Sequence, residues 1–296
     1  MGEGTDGVST PLEERPGGIW LKREDLHELG SFKWRGALPT IERYSPDVVV
    51  TASTGNHGAA TAWAAGKLGI RAIVFVPERA SSVKTAFIEQ HGAELRRVGA
   101  DFDEAKDEAR AFAEEHDSLF FEDGAEPAQY DGYGMIADEI VEQLGAPPAA
   151  VVVPVGNGAL LGGIGTRLTD GTRRIGVVST AAPVMADAWD AGRIVDAGRC
   201  ATFADGLAVR VAIPYAVEVL LEAADRMVRV TERQLAYAVG AYAAEGLRVE
   251  GAAAAPRAAL ARLEPIDGPT VLVITGRNIE PQLWRRAVDS PDSFPD

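Results

Sequence analysis

One lysine lies in a short glycine-flanked segment whose composition suggests covalent chemistry. Lys33 stands between Gly30 and Gly36, in the run Gly-Ser-Phe-Lys-Trp-Arg-Gly, shortly after a strand-like run over residues 19–22. The chain has only five lysines, and arginine supplies most of its positive charge. A lysine amine can lose its proton when desolvated and can form a Schiff base, whereas a guanidinium stays charged. Lys33 is therefore the first candidate nucleophile.

A turn rich in hydroxyl and amide groups follows the apolar run 48–50 and precedes a helical pattern over 59–68. A strand, a turn and a helix N-terminus in this order form a ready site for an anion such as a carboxylate. We expect the backbone amides of this turn to bind such an anion. Its residues are Ser53, Thr54, Gly55, Asn56 and His57.

A glycine-rich loop follows the very apolar strand predicted over 149–155. Its glycines would let backbone N–H groups close around a phosphate. A dinucleotide site would also need an acidic residue at the end of the next strand, and the strand predicted over 175–180 offers none. The loop is therefore expected to hold a different phosphate compound. Its residues are Gly156, Asn157, Gly158, Ala159 and Leu160.

Together with Thr275, which follows the strand predicted over 270–274, these segments resemble the fold-type II pyridoxal-phosphate enzymes. That family includes serine/threonine dehydratases, serine racemase, threonine synthase and the β-subunit of tryptophan synthase. The dehydratase branch is the most similar, because further motifs follow its order along almost the whole chain. These motifs are Ser9-Thr10-Pro11-Leu12, Lys22-Arg23-Glu24-Asp25-Leu26, Ala204-Asp205-Gly206-Leu207-Ala208-Val209 and Val249-Glu250-Gly251-Ala252.

The resemblance implies pyridoxal 5'-phosphate as the cofactor and a role for each motif. Lys33 would carry the internal aldimine and later take the α-proton of the substrate, while Phe32 would shape the cofactor's face. Asn56 would bond to the 3-oxygen of the ring, and the amides of residues 53–57 would receive the substrate carboxylate. The glycine loop would hold the phosphate, and Thr275 would face the ring nitrogen. A neutral hydroxyl there makes the ring a weaker electron sink than a carboxylate would, which favours β-elimination over transamination.

Thr54 has two open roles. Serine racemases place a serine at the matching position as a second acid/base on the opposite face of the ring, and dehydratases often have alanine. A threonine hydroxyl leaves this two-face chemistry open. The alternative role of the hydroxyl is to cap the helix that follows.

The function implied is that of an ammonia-lyase, which would convert a β-hydroxy amino acid such as threonine or serine into a 2-oxo acid and ammonia. A β-replacing synthase similar to threonine synthase, or an amino-acid racemase, is the alternative within the family. A cofactor-free binding protein of the same fold is the alternative from another class. The joint presence of Lys33, Asn56, the glycine loop and Thr275 argues against it.

Several departures from the family pattern limit what is carried over. Many relatives bind a cation through carboxylates where this chain has Val178 and Val184, so we expect no metal site. Arg277 replaces a glycine that usually follows the ring-nitrogen hydroxyl. It would either pair with a surface carboxylate or reach the cofactor edge and favour a substrate with a second acidic group. The single cysteine, Cys200, is expected to be structural.

Alternating apolar runs and helical patterns predict an α/β fold with parallel sheets. We expect a small mobile lobe over residues 48–135, inserted in a larger cofactor-binding lobe made of 1–47 and 136–296. The net charge of -15 argues against a nucleic-acid partner, and no apolar run reaches the length of a membrane span. A small amino acid is the expected partner, and the family implies a homodimer. The first residues lack a leader pattern, so the cytoplasm is the expected location.

Overall fold

The computed structural model describes residues 9–168 and 171–296, in which strands and helices alternate as the apolar runs predict. Within those ranges, no helix combines the length and apolar character needed to cross a membrane. The strands are β1 (Leu12–Arg15), β2 (Ile19–Arg23), β3 (Val48–Ala52), β4 (Arg71–Val76), β5 (Glu94–Arg97), β6 (Leu119–Phe120), β7 (Ala150–Pro154), β8 (Arg173–Ser179), β9 (Arg226–Val230) and β10 (Thr270–Ile274). The helices are α1 (Trp34–Tyr44), α2 (Asn56–Leu68), α3 (Ser82–Glu89), α4 (Phe102–Glu115), α5 (Pro127–Leu144), α6 (Ala159–Arg167), α7 (Val184–Ala191), α8 (Pro214–Ala223), α9 (Glu232–Ala244), α10 (Gly251–Ala259) and α11 (Pro281–Asp289).

One compact unit, residues 31–133, is built on a parallel sheet of order β5-β4-β3-β6. Alternate side chains of β4 face opposite sides of this sheet, as the strand period of two requires. Ile73 and Phe75 pack with α4, whereas Val74 and Val76 pack with α2 and α3. Both faces of the sheet are therefore covered by helices, which explains why its central strands are continuous apolar runs.

The other compact unit combines the residues before 31 with those after 133. Its sheet has the order β1-β2-β10-β7-β8-β9, in which only β1 pairs in the antiparallel sense. Every residue of β7 and β10 is buried. The loops that leave the carboxyl ends of these two strands carry the predicted phosphate and ring-nitrogen residues. The predicted α/β fold with parallel sheets is confirmed.

The compact units differ from the predicted lobes mainly at one boundary. The inner unit begins at Ser31 instead of residue 48, because α1 packs along α2. Its end at Tyr133 is close to the predicted end at residue 135. The mobility of this part of the chain stays a prediction.

The acidic stretch 101–115 forms the solvated helix that its spacing predicts. The Asp101 carboxylate accepts hydrogen bonds from two amides in the first turn of α4, which satisfies donors that a helix N-terminus leaves open. Ala105, Ala109 and Ala113, spaced four residues apart, form the buried face. The charged residues between them stay in water, so the stretch is structural.

The composition of the polar residues 290–296 predicts a frayed C-terminal end, but the structure shows an ordered one. Phe294 is buried, its ring centroid lies 4.5 Å from that of Phe203, and Pro295 O accepts a hydrogen bond from the Arg233 amide. The prediction was wrong because a single aromatic residue can anchor a polar tail, and a composition argument does not detect it.

Candidate active site

Lys33 lies immediately before α1 and its side chain is mostly buried. Its Nζ atom forms an ion pair with Asp123, at 2.6 Å from Oδ2 and 2.9 Å from Oδ1. The same nitrogen lies 4.9 Å from the ring centroid of Phe32 and 5.8 Å from that of Tyr133. The candidate nucleophile is therefore held among two aromatic rings and one carboxylate.

Asp123 is a site residue that the sequence analysis missed. It follows the two-residue strand β6, and the Phe121 amide continues the pairing by donating to Val50 O. Polar residues beyond the carboxyl ends of parallel strands are common ligand contacts in α/β proteins. The signal was available as an acidic residue after an apolar run, but β6 is too short to stand out as a strand.

His57 contacts the same carboxylate from α2. Its Nδ1 lies 3.6 Å from Asp123 Oδ1, and its Nε2 lies 3.2 Å from the carbonyl oxygen of Phe121. A carbonyl oxygen can only accept, so the contact assigns the ring proton to Nε2 and leaves a lone pair on Nδ1. Burial lowers the pKa of His57; the carboxylate of Asp123 opposes this shift and the charge of Lys33 adds to it. The imidazole is therefore neutral at pH 7.

The predicted carboxylate-binding turn joins β3 to α2, as its sequence indicates. Ser53 Oγ accepts hydrogen bonds from the amides of Gly55 and Gly58, at 3.3 Å and 3.0 Å. Ser53 thus caps α2, which is the alternative role that the sequence left open for Thr54. The Ser53 amide donates to Phe75 O at 3.2 Å. Because the amides of Ser53 and Gly55 are used within the protein, a bound carboxylate would have to contact other amides of this turn.

The predicted phosphate loop leaves β7 and ends where α6 begins. Gly158 precedes the helix with φ of +95°, a conformation that favours glycine. A Cβ at Gly156 would lie 2.3 Å from the carbonyl oxygen of Gly206, so the loop and the segment around Gly206 touch through their backbones. Asn157 Oδ1 accepts a hydrogen bond from the Ala159 amide at 3.1 Å, and the Leu160 side chain is buried.

Thr275 follows β10 and is almost fully buried. Its Oγ1 has no hydrogen-bond partner among residues 9–168 and 171–296. Glu250 lies nearby, since a Cβ on Gly276 would be 2.9 Å from Glu250 Oε1. A buried hydroxyl without a partner costs roughly 1–3 kcal/mol, so such a group calls for a functional explanation.

The similarity to known proteins extends over nearly the whole chain. A family model described as pyridoxal-phosphate dependent enzyme matches residues 6–276. An L-threonine ammonia-lyase from Geobacter sulfurreducens is 35% identical over 272 residues, covering 88% of this chain and 67% of that protein. Another, from Thermotoga maritima, is 34% identical over 292 residues, covering 95% of this chain and 72% of that protein. This chain belongs to the pyridoxal-phosphate-dependent enzyme family.

The solved structure of the processed form of threonine deaminase isoform 2 from Solanum lycopersicum supports the same assignment. It matches this pyridoxal-phosphate-dependent enzyme with a TM-score of 0.88 and 27% sequence identity, over 95% of this chain and 88% of that one. The fold-type II architecture is therefore confirmed.

Two features of this pyridoxal-phosphate-dependent enzyme fit the cofactor. The orphaned Thr275 hydroxyl could donate to a ring nitrogen or accept from a protonated one. The backbone contact at Gly156 and the left-handed Gly158 form a glycine cradle at the N-terminus of α6, where the partial positive charge of the helix suits a phosphate. Lys33 separately provides an amine of the kind that bonds to the cofactor's aldehyde.

The departures from the family pattern at Val178, Val184 and Arg277 have described surroundings; Val178 lies in β8, Val184 begins α7 and Arg277 follows β10. Val178 and Val184 are buried apolar residues, and the described part of the chain contains no group of three or more histidine, cysteine or acidic residues arranged for a metal. Arg277 donates to the carbonyl oxygens of Asp25 and His27. Its expected pairing with a surface carboxylate is therefore replaced by bonds that hold the backbone of residues 25–27.

Proposed function

We propose that this pyridoxal-phosphate-dependent enzyme eliminates water from a β-hydroxy amino acid such as threonine or serine, giving a 2-oxo acid and ammonia. The observation that carries the proposal is the buried hydroxyl of Thr275 without a partner. A neutral group at the ring nitrogen gives a weaker electron sink than a carboxylate, and a weaker sink favours prompt loss of a β-substituent. The two ammonia-lyases that resemble this chain support the same reaction class.

Each candidate residue would have a separate role in this reaction. When bound, pyridoxal phosphate supplies the electron sink that makes the α-proton of an amino acid removable. Lys33 Nζ would bond to its aldehyde carbon and, once displaced by the substrate amine, would take the α-proton. The loop 156–160 would bind the phosphate, Asn56 the ring oxygen and Thr275 the ring nitrogen. Phe32 would pack against the cofactor.

The turn before α2 would bind the substrate carboxylate. The amides of Ser53 and Gly55 already have partners in the protein, so other amides of the turn, such as those of Thr54 and His57, would contact the carboxylate. The positive end of the helix dipole lies at this turn and favours an anion. The half-buried hydroxyl of Thr54, which does not cap the helix, would be the acid/base group on the opposite face in a racemase.

Replacing Lys33 by Ala tests the assignment of the nucleophile. We expect the variant to lose the visible absorbance band of the bound cofactor and all turnover, because Lys33 is the lysine of the family motif. Lys22 and Lys106 form ion pairs with Glu139 and Glu122. Lys67→Ala is the matched control: this lysine is exposed and lies over the Trp63 ring. If borohydride still linked the cofactor to the Lys33→Ala protein, a different lysine would be the nucleophile.

Product analysis separates elimination from its alternatives. The purified enzyme, loaded with cofactor, is incubated with L-threonine or L-serine, and the 2-oxo acid, the ammonia and the chirality of remaining substrate are measured. The proposal expects equal amounts of 2-oxo acid and ammonia and no D-enantiomer. Suppression of 2-oxo acid by an added thiol, with formation of a thioether amino acid, would identify a β-replacing synthase. Accumulation of the D-enantiomer would identify a racemase and the acid/base role of Thr54.

We further propose that the enzyme works as a homodimer in the cytoplasm. Family resemblance supports the dimer, and the use of a free amino acid and pyridoxal phosphate, both metabolites of the cytoplasm, supports the location. Light scattering coupled to gel filtration measures the mass in solution. A mass of one chain, 31.3 kDa, at micromolar concentration would contradict the dimer.

A further inference from the structure

Glu232 is an acidic residue that lies buried in the larger unit. It is the first residue of α9, and only 3% of its surface is exposed. Its Oε1 accepts a hydrogen bond from the hydroxyl of Ser179, and its Oε2 accepts one from the Phe203 amide at 2.7 Å. Burial of a carboxylate is costly unless hydrogen bonds replace those of water, and both bonds serve that purpose here. The carboxylate therefore joins three segments that are distant in sequence.

Ser179 fixes the geometry of this contact. It is the last residue of β8 and is fully buried. Its Oγ donates to Glu232 and also accepts a hydrogen bond from the Ala181 amide at 2.9 Å. The carbonyl oxygen of Ala181 accepts in turn from the Ala201 amide at 2.8 Å. The end of β8 is thus tied to residues 201–203 both through the backbone and through the buried carboxylate.

Residues 203–207, the backing segment, continue from this attachment to the glycine loop. A Cβ at Gly156 would lie 2.3 Å from Gly206 O, so the two backbones are in direct contact. The segment also packs against the start of α10, because a Cβ at Gly251 would lie 2.8 Å from Ala204 Cβ. In a close-packed interior, a shift of the backing segment is transmitted to the loop. Backbone N–H groups bind a ligand well only when they are held within about 0.5 Å of the productive geometry.

The residues around the end of β8 do not fit the cation that many relatives bind at this place. Val178 and Val184 supply hydrocarbon where a hard cation requires oxygen ligands. Val184 instead packs against a neighbouring backbone, since a Cβ at Gly198 would lie 3.2 Å from Val184 Cβ. Glu232 contacts Ser179, the residue directly after Val178. A carboxylate and a hydroxyl of the protein thus make the connection at this end of the strand.

We propose that Glu232 is a positioning residue for the phosphate of the cofactor: together with Ser179, it holds the backing segment against the glycine loop. It does so at the place where many relatives bind a cation. This role rests on the phosphate-binding task that the proposed function gives to the loop 156–160. It does not depend on which amino acid is the substrate, so cofactor binding tests it directly.

The test compares two compounds that differ only in the phosphate. Pyridoxal phosphate and pyridoxal carry the same ring and aldehyde, and titration of the visible absorbance band, after removal of the cofactor, gives a dissociation constant for each. The ratio of the two constants is the preference for the phosphate. We expect Glu232→Ala to lower this preference at least about tenfold, because the Phe203 amide loses its partner and the backing segment loosens. Equal weakening of both compounds would show that Glu232 only stabilises the fold and would overturn the inference.

A conservative variant and a matched control accompany this measurement. Glu232→Gln should keep the preference within about threefold of the parent's, since its amide oxygen can accept from Phe203 and its amino group can donate to Ser179 Oγ. Thr172→Val is the control: Thr172 lies just before β8, at the opposite end of the strand from Ser179, and its buried hydroxyl donates to Pro148 O at 2.7 Å. We expect this variant to lose stability and to keep the parent's preference. A loss of preference in Thr172→Val as large as that in Glu232→Ala would contradict a specific role for Glu232.

Ser179→Ala tests the other half of the pair. We expect the preference to fall about threefold or more, because the variant removes the donor to Glu232 Oε1 and the acceptor of the Ala181 amide. If Glu232→Ala did not fold, Ser179→Ala and Glu232→Gln would still decide the inference. An unchanged preference in Ser179→Ala, or a tenfold loss in Glu232→Gln, would overturn the proposed hydrogen-bonded connection.

A chelator provides an independent measurement on the parent protein. We expect its preference for the phosphate to be the same with a chelator and with added magnesium or calcium, since Val178 and Val184 offer no oxygen ligand. A preference that the chelator lowers and the cation restores would show that a bound ion holds the end of β8, and would overturn the inference. Absence of product from serine and threonine, in a parent protein that prefers pyridoxal phosphate, would contradict the proposed elimination and leave the role of Glu232 intact.

Discussion

Lys33 is mostly buried and Thr275 is almost fully buried, but their contacts differ. Lys33 Nζ bonds to Asp123, whereas Thr275 Oγ1 has no partner within the described ranges. An unsatisfied buried hydroxyl lowers stability, so its presence is consistent with a ligand that completes its hydrogen bonding. The unpaired hydroxyl of Thr275 therefore lowers the stability of the cofactor-free protein and provides a hydrogen-bonding group for a ligand.

Thr275→Val tests that argument, because valine has nearly the same shape and no hydroxyl. We expect the free energy of unfolding of the cofactor-free protein to rise by about 1 kcal/mol, while cofactor affinity falls. Thr172→Val is the control, since Thr172 Oγ1 donates to Pro148 O at 2.7 Å and its loss should destabilise by a similar amount. Urea unfolding and a cofactor titration measure both quantities. A destabilised Thr275→Val protein would show that the hydroxyl has a partner.

His57 should make stability depend on pH. Burial lowers its pKa in the folded state, while Asp123 and Glu122 oppose that shift and Lys33 adds to it. In the unfolded chain the imidazole takes up a proton near pH 6.5, but in the fold it does so only at lower pH. Its contribution is therefore complete above pH 6.5 and decreases as pH falls from there toward the folded pKa, by up to about 1.4 kcal/mol per unit.

Urea unfolding of the parent and of His57→Gln between pH 8 and pH 5 checks this sign. The glutamine variant should be the less stable protein at pH 8. The difference should shrink as pH falls, because protonation of the buried imidazole destabilises only the parent. A difference that grew on acidification would mean that the folded protein prefers the imidazolium, and the assigned tautomer would be wrong.

At the scale of elements, the candidate residues lie where parallel strands end. β3 leads into the carboxylate turn, β6 is followed by Asp123, β7 leads into the glycine loop and β10 is followed by Thr275. Carboxyl ends of parallel strands lie on the same edge of their sheet. Within the smaller sheet this brings Asp123 near the carboxylate turn, and within the larger sheet it places the glycine loop and Thr275 on one edge. The glycines let the backbone turn sharply at these ends.

Gly156→Ala tests the close backbone contact in the phosphate loop. The new Cβ would lie 2.3 Å from Gly206 O, so one of the two loops must move. We expect a loss of about 1–3 kcal/mol in stability and a cofactor affinity at least tenfold lower. Gly240→Ala within α9 is the control, because its nearest atom is 3.9 Å away and alanine favours a helix by about 0.5–1 kcal/mol. A Gly156→Ala protein with unchanged affinity would contradict the role of this loop.

At the scale of the whole chain, each of the two compact units has its own sheet, and the larger unit joins segments that are distant in sequence. The C-terminal residues illustrate this arrangement. Phe294 packs on Phe203 within the core of the larger unit, and the Arg286 guanidinium lies 4.3 Å from the Phe294 ring centroid. The tail therefore belongs to the folded core.

Phe294→Ala should lower the free energy of unfolding by about 3 kcal/mol or more, because it removes a buried ring and leaves a cavity. Phe102→Ala is the control, since Phe102 is 45% exposed and its loss should change stability by less than about 0.5 kcal/mol. Thermal or urea unfolding of both variants measures the contrast. Equal, small effects would support the frayed end that composition predicts.

Elements with strong local patterns were predictable from the sequence. β3, β7, β8 and β10 are apolar runs bounded by turns, and α4 has four-residue spacing of its alanines. Weakly apolar or short elements, such as β6, escaped notice because their stability comes from pairing with neighbours. A local sequence pattern reveals an element that its own residues stabilise, but it does not reveal a strand that depends on pairing with its neighbours.

The sequence by itself determined the family, the cofactor and the nucleophile candidate, because these depend on residue types in short ordered motifs. Only the tertiary structure revealed the Lys33–Asp123 pair, which joins residues 90 positions apart, and the orphaned hydroxyl of Thr275. It also showed that Ser53 caps α2 and that Arg277 holds backbone carbonyls. Side-chain partners and burial are properties of the packed chain, since they depend on atoms that folding brings together from distant segments.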